Sequence, residues 1–202
     1  GTTFTLRTPR GSCAIQSRLV GEHNIYNLLA AIGAVLHEGL TLDQVRSALG
    51  AVSNVPGRFE LVEAGQDFTV VVDYAHTEDA LVRLLTAARA VRTGRIITVF
   101  GCGGDRDRTK RPKMGQAAVQ YSDVVILTSD NPRTEDPAVI LREVEVGVKN
   151  ALINRAQVQY RMIADRRAAI EAAVREAKTG DMVVIAGKGH EDYQILGTTK
   201  HH

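Results

Sequence analysis

Asp130-Asn131-Pro132-Arg133 follows the apolar run Val124 to Thr128, and Gly187-Lys188-Gly189-His190-Glu191 follows the run Met182 to Ala186. Each run reads as a buried strand, so each charged cluster occupies the loop just past a strand's C-terminal end. In an open parallel α/β sheet that edge is where ligands bind. One loop offers a carboxamide and a guanidinium, the other a lysine, an imidazole and a carboxylate. A guanidinium pairs with carboxylates and a carboxylate with ammonium groups, so the two loops together suit a small zwitterion.

The elements that must position these loops are legible from periodicity. Phe68–Val72, Arg95–Phe100, Asp123–Thr128, Gln157–Ile163 and Met182–Ala186 read as strands. They alternate with amphipathic helices over Glu78–Val91, Arg111–Gln120, Pro137–Lys149 and Arg166–Ala177, the last with Asp165 as N-cap. Continuous Val/Ile runs between helices predict an α/β fold: a Rossmann-like, mostly parallel sheet with helices on both faces. Every strand then ends in a polar loop, the others being Asp73-Tyr74-Ala75-His76, Gly101 to Asp107, and Asp165-Arg166-Arg167. Any one such loop is as readily structural as functional. Five on one edge of one sheet point to a site.

Upstream the grammar differs. Leu28, Ala31, Ile32 and Val35 make a helical stripe within Asn24–Leu36, and Thr41 with Gln44 forms a capping box for a second helix ending near Gly50. Ser53 to Arg58, with Asn54, Pro56 and Gly57, reads as a linker, so the expected domains are 1–54 and 55–202. Gly1 to Arg10 reads as a short polar strand without an initiator methionine, as though cut from something longer. Lys200-His201-His202 is assigned no function.

The 202 residues are 44% hydrophobic, enough for one good core and part of another. A net charge of +2 gives no reason to expect a nucleic-acid surface or a polybasic membrane patch. No run is apolar for long enough to span a bilayer, and no signal peptide is expected. The two cysteines, Cys13 and Cys102, fit a reducing compartment and have no metal-ligand spacing. A cytoplasmic location is expected, with no metal site in this segment.

A series of motifs resembles the C-terminal part of the Mur ligases, the ATP-dependent amide ligases of peptidoglycan synthesis. In family order these are Gly21-Glu22-His23-Asn24-Ile25-Tyr26-Asn27, Pro56-Gly57-Arg58, Asp73-Tyr74-Ala75-His76-Thr77 and Val99 to Asp107, which holds Gly103-Gly104-Asp105-Arg106. Lys110-Arg111-Pro112, Thr128 to Arg133 and Gly187 to Glu191 complete the series. Glu78 departs from the family's usual proline, and an acid in a helix's first turn suits the macrodipole.

The resemblance implies that residues 1 to about 54 end a central ATP-binding domain and that the rest is the family's C-terminal domain. It implies ATP and Mg²⁺ as cofactors, and UDP-MurNAc-L-Ala-D-Glu and an amino acid as substrates. The γ-carboxylate of D-glutamate becomes an acyl phosphate, the amino acid's amine attacks it, and phosphate leaves from a tetrahedral intermediate. By position Asn24, Asn27, Arg58, Asp73, Tyr74 and His76 are the implied nucleotide residues, although a helix-start cap fits Asn24 almost as well. Arg106, Asp130, Asn131, Pro132, Arg133, Gly187 and Glu191 are the implied amino-acid site. Within it, Arg133 suits the second carboxylate of meso-diaminopimelate, while Glu191 and Asn131 suit its ammonium. L-Lysine lacks that carboxylate and would leave Arg133 unpaired, a loss of about 2–5 kcal/mol.

No G-x-x-x-x-G-K-[ST] string occurs, and Gly187-Lys188-Gly189 runs into histidine. The expectation is therefore a segment that cannot turn over by itself. A lysine-adding Mur ligase, another member of the superfamily (cyanophycin or folylpolyglutamate synthetase), and a non-catalytic amino-acid or partner-binding module remain as alternatives.

Overall fold

A computed structural model describes residues 1–202, the side chain of His23 excepted. The chain divides into two compact units, Gly1–Val55 and Pro56–His202.

The first unit opens with an antiparallel hairpin, β1 (Thr2–Thr8) and β2 (Gly11–Ser17), followed by α1 (Glu22–His37) and α2 (Leu42–Ala51). Only the first of these strands was expected. β2 is rich in Ser and Gly, and its pairing with β1 rather than its own pattern makes it a strand. Leu6, Ile15, Leu19, Leu28, Ile32 and Val45 form the core. Leu28 and Ile32 of the predicted stripe are buried, whereas Ala31 is exposed. The capping box forms, with Gln44 N–H donating to Thr41 Oγ1 (3.3 Å) and Thr41 N–H to Gln44 Oε1 (2.9 Å).

The second unit is a six-stranded sheet flanked by four helices. In chain order the elements are β3 (Glu60–Leu61), β4 (Thr69–Asp73), α3 (Glu78–Val91), β5 (Ile96–Phe100), α4 (Lys110–Tyr121), β6 (Val124–Leu127), α5 (Pro137–Leu152), β7 (Gln159–Met162), α6 (Arg166–Glu176) and β8 (Met182–Ala186). A hairpin of β9 (Gln194–Leu196) and β10 (Thr199–His201) closes the chain. The sheet order is β3-β4-β8-β5-β6-β7, parallel throughout except for β3. The Rossmann-like expectation holds, with strand ends shifted by one or two residues.

The last parallel strand, β8, inserts between β4 and β5. Right-handed crossovers place α3, α4 and α5 on one face, where α4 packs on both neighbours. The return from β7 to β8 puts α6 on the other face, its Ala169 and Ala173 packing on Val99, Ile126 and Val183. Both faces are thus covered, which is why β5 and β6 are buried at every residue. The reversal of strand order at β8 opens a crevice beyond the carboxyl edge between β4, β8 and β5. Among the described residues no helix is long and apolar enough to cross a membrane.

Candidate functional site

Over that edge lies a cavity of about 350 Å³ walled by the loops after β4, β5, β6 and β8. Tyr74, His76, Arg106, Asp130, Asn131, Arg133, Gly187 and Glu191 all line it, with Lys110 and Asp107 beside them. The structure therefore brings together two of the residues expected on the nucleotide side with nearly all those expected at the amino-acid end.

The β6 loop is held from below by charge. Asn131 N–H donates to its neighbour's Asp130 Oδ1 (2.7 Å), while Asp130 Oδ2 is buried with no partner among the described residues. Asn131 is corrected from its expected use. Its Oδ1 already accepts from Lys188 Nζ (2.9 Å) and from Ile195 N–H (3.0 Å), so both lone pairs are taken. Its Nδ2 donates to Glu191 Oε2 (3.2 Å), which also receives Lys188 Nζ (3.2 Å). Asn131 organises the acidic end rather than taking an ammonium itself. Burial pushes the Glu191 carboxyl up, but the bonds from Lys188 and Asn131 outweigh it and hold the group below the usual carboxylate range. Glu191 Oε1, in longer contact with Tyr74 Oη (3.5 Å), is the oxygen left for a ligand cation.

Arg133 sits in the left-handed region, φ 51°, and its Nη1 donates to Gly104 O (2.8 Å). Gly104 N–H in turn donates to Asn131 O (2.8 Å). A Cβ on Gly104 would stand 1.8 Å from Pro132 O, so only glycine lets the β5 and β6 loops touch. Pro132 shapes this contact through its carbonyl and does not line the cavity. Arg106 is exposed, with Nη1 on its neighbour's Asp105 O (2.9 Å).

Behind the same two loops Arg111, fully buried, forks onto Glu135 (Nη1 and Nη2, both 2.8 Å), Glu143 (2.7 Å) and Gly103 O (3.1 Å). Glu135 also accepts Asp105 N–H (2.7 Å). The Arg111 fork, followed by that N–H, holds the Glu135 carboxyl down at about 2 and raises Arg111 in return. On the far side Arg166 is buried at the start of α6. Its Nη2 donates to Ala186 O (3.0 Å), and Nη1 has no partner among the described residues. Burial drives Arg166 down, and the nearby charges of Asp130 and Glu191 oppose that.

Asp73 and Arg58 do not line the cavity. Both Asp73 oxygens accept backbone N–H groups, Oδ1 from Ala75 and Oδ2 from Phe59 (2.7 Å each), and the side chain is 8% exposed. These bonds pin Pro56–Phe59 against β4 and give each carboxylate oxygen a backbone donor. Gly57, at φ 69°, lies so close to Gly189–His190 that a Cβ would be 2.3 Å from His190 N. The Arg58 guanidinium lies 4.8 Å over the Tyr74 ring, which also contacts His76 edge-on (4.8 Å) and stacks with His190 (5.9 Å). Thr77 caps α3, which leaves Glu78 at the first helical position.

Asn24 and Asn27 belong to the first unit. Gly21 rather than Asn24 is the N-cap of α1. The Asn24 amide donates to Val20 O (2.8 Å) and accepts from Asn27 Nδ2 (3.4 Å). Sequence reasoning counted Lys188 only among the charges of its loop and left Arg111 and Gln194 without a role. Lys188 stood inside a motif that was singled out, and Arg111 inside another. Gln194 carried no signal, since β9 is three residues long and lies outside any periodic segment.

A doubly wound sheet with a charged pocket at its strand-order reversal defines a Rossmann-like α/β domain. The family "Mur ligase, glutamate ligase domain" matches residues 57–189, and the chain belongs to the Mur ligase family. A UDP-N-acetylmuramoyl-L-alanyl-D-glutamate–2,6-diaminopimelate ligase of Trichormus variabilis is 53% identical over 204 residues, covering 100% of this chain and 40% of its own length. A solved structure of a ligase of that name is 42% identical, with TM-score 0.68 over 98% of this chain and 40% of its own. Mycobacterium tuberculosis folylpolyglutamate synthase, solved with ADP and AMPPCP, shares the fold at TM-score 0.71 and 23% identity, over 92% of this chain and 42% of its own. The chain spans about 40% of the length of the curated relatives it matches.

Proposed function

We propose that this chain is the C-terminal part of an ATP-dependent ligase that adds meso-diaminopimelate to UDP-MurNAc-L-Ala-D-Glu, with residues 1–54 ending the central ATP-binding domain. The observation that carries this is the gathering, in one cavity, of two guanidiniums (Arg106 and Arg133) and Lys110 with the carboxylates of Asp107, Asp130 and Glu191. A diamino dicarboxylic acid presents the complementary charges at the end that does not react. Arg133 pairs the distal carboxylate, and Glu191 and Asp130 take the distal ammonium. That grip leaves the other amine free to attack an acyl phosphate: the carbonyl carbon gains the C–N bond, the nitrogen gives up a proton to solvent, and the C–O bond breaks as phosphate departs with its electron pair. ATP supplies the phosphoryl group. Tyr74 and His76, with the Arg58 guanidinium over the Tyr74 ring, offer an aromatic and cationic surface suited to a nucleotide. Among the described residues no cluster of three or more acidic, His or Cys side chains could hold Mg²⁺, so no step is assigned to a metal within this segment.

The test is ligation by the intact protein with meso-diaminopimelate or L-lysine as acceptor, for wild type and Arg133→Ala. Wild type is expected to prefer diaminopimelate. The substitution is expected to cut that preference roughly 30-fold or more, matching loss of one charge-assisted contact. Equal use of lysine by wild type sinks the specificity assigned to Arg133. The 202-residue segment alone is expected to show no turnover, and measurable ligation by it would overturn that part.

A further inference from the structure

No residue of the hairpin after the cavity's last loop lines the cavity, yet the hairpin bonds to almost every residue of the Asp130–Arg133 loop. Gln194 Nε2 donates to Asp130 O (2.7 Å) and, at 3.4 Å, to Ser129 O. Ile195 N–H donates to Asn131 Oδ1 (3.0 Å). Arg133 N–H donates to Ile195 O (3.0 Å), and Gly197 N–H returns to Arg133 O (2.8 Å). Three of these bonds are made by backbone and are indifferent to the identity of the hairpin's side chains. Only Gln194 makes its contact through a side chain.

That contact falls where the loop most needs it. Arg133 holds φ 51°, a conformation unfavourable for a residue with a Cβ, and it persists only where its neighbours impose it. Backbone bonds on both sides of Arg133 impose it from the hairpin. Three residues earlier the chain turns so that an Asp130 carboxylate oxygen lies against Gly187, while its carbonyl accepts from the hairpin. The Gln194 amide satisfies that carbonyl, which would otherwise be free to rotate the peptide and swing Asp130 and Asn131 together. Asn131 cannot hold the loop alone, because its oxygen is committed to Lys188 and Ile195.

We propose that Gln194 is a positioning residue for amino-acid recognition: without meeting the substrate, it keeps the Asp130–Arg133 backbone on the path that aims Asp130 and Arg133 into the cavity. This rests on the functional reading given above. A carboxamide is suited to the task because its two N–H donors reach two successive carbonyls. A carboxylate at the same place would face those carbonyl oxygens with lone pairs.

The experiment is steady-state ligation by the intact enzyme carrying Gln194→Met, which keeps length and removes the donor, and Gln194→Glu, which replaces donor by acceptor. KM is measured for the amino acid and for ATP, alongside kcat and the melting temperature. Gln194→Met is expected to raise the amino-acid KM about 3- to 10-fold, the range for losing one neutral hydrogen bond, with kcat and the ATP KM within twofold. Gln194→Glu is expected to raise it further. An unchanged amino-acid KM in Gln194→Met overturns the proposal. So does a parallel loss across the amino-acid KM, the ATP KM and kcat, which is what a purely structural role would produce. Gln194→Asn, too short to reach, substitutes for any variant that does not fold. If wild type prefers L-lysine, the functional reading falls, and the same KM comparison with lysine still decides the role of Gln194.

Discussion

Replacing Gly104 by alanine tests whether the two charged loops must touch for the site to exist. The added methyl would meet Pro132 O at 1.8 Å and Pro132 C at 2.7 Å, both backbone atoms that cannot rotate aside. Ordinary carbon–oxygen contact begins near 3.3 Å, so the β6 loop must withdraw by more than an ångström. Withdrawal of that size breaks the Gly104 N–H bond to Asn131 O and the Arg133 Nη1 bond to Gly104 O, each 2.8 Å long. One neutral bond at about 1 kcal/mol and one charge-assisted bond at about 1.5–3 kcal/mol give a loss of roughly 2–4 kcal/mol. At about 2–4 °C per kcal/mol for a chain of this size, the melting temperature should fall by roughly 5–15 °C. Arg133 moves with its loop, so the affinity for meso-diaminopimelate should drop about 30-fold or more. Thermal melts and calorimetric titration of wild type and Gly104→Ala read both quantities. A variant that melts within a degree of wild type and binds with the same affinity would show that the loops part without cost, and the geometric argument would be wrong.

Two further outcomes follow from the same contacts. Glu135 is held at about 2 in the folded chain against 4.5 for a free glutamate, chiefly by the Arg111 fork. A depressed acid stabilises the fold fully above its unfolded value and loses that contribution as pH falls through the interval down to the folded one. The stability gap between wild type and Glu135→Gln, measured by urea unfolding, should therefore be constant above about pH 5 and close between about 4.5 and 2. A gap independent of pH across that range would contradict the assignment. Gly33→Ala is the opposite kind of change, since the added methyl meets nothing within 4 Å in the interior of α1. It should stabilise the first unit by about 0.5–1 kcal/mol through helix propensity, and a destabilised variant in denaturant titration would refute this.

Much of the second unit was legible because its elements obey periodicity strongly. β5 and β6 are unbroken apolar runs, α3 and α5 carry clear stripes, and Asp165 caps α6 as its position predicted. What escaped was short or paired at a distance: β2, the two-residue β3, and the β9–β10 hairpin. Their strand character comes from a partner and leaves little trace in local composition. The same holds within the site. Arg133, Glu191 and Asp130 could be named from their loops, but the occupied oxygens of Asn131 and Asp73 could not, because their donors come from Lys188, Ile195 and Phe59.

The order of residue types along the chain thus determined that five polar loops would share one sheet edge, and which charges would gather there. Alternation of buried strands and amphipathic helices leaves a parallel sheet few other arrangements. Tertiary structure decided which of those charges stay available. β8 inserts between β4 and β5 and carries Lys188 to Asn131 and Glu191. α4 carries Arg111 beneath Gly103 and Glu135, and the terminal hairpin carries Gln194 to Asp130. A hydrogen bond depends on the meeting of two groups within about three ångströms, and for residues sixty positions apart that meeting exists only once the chain has folded.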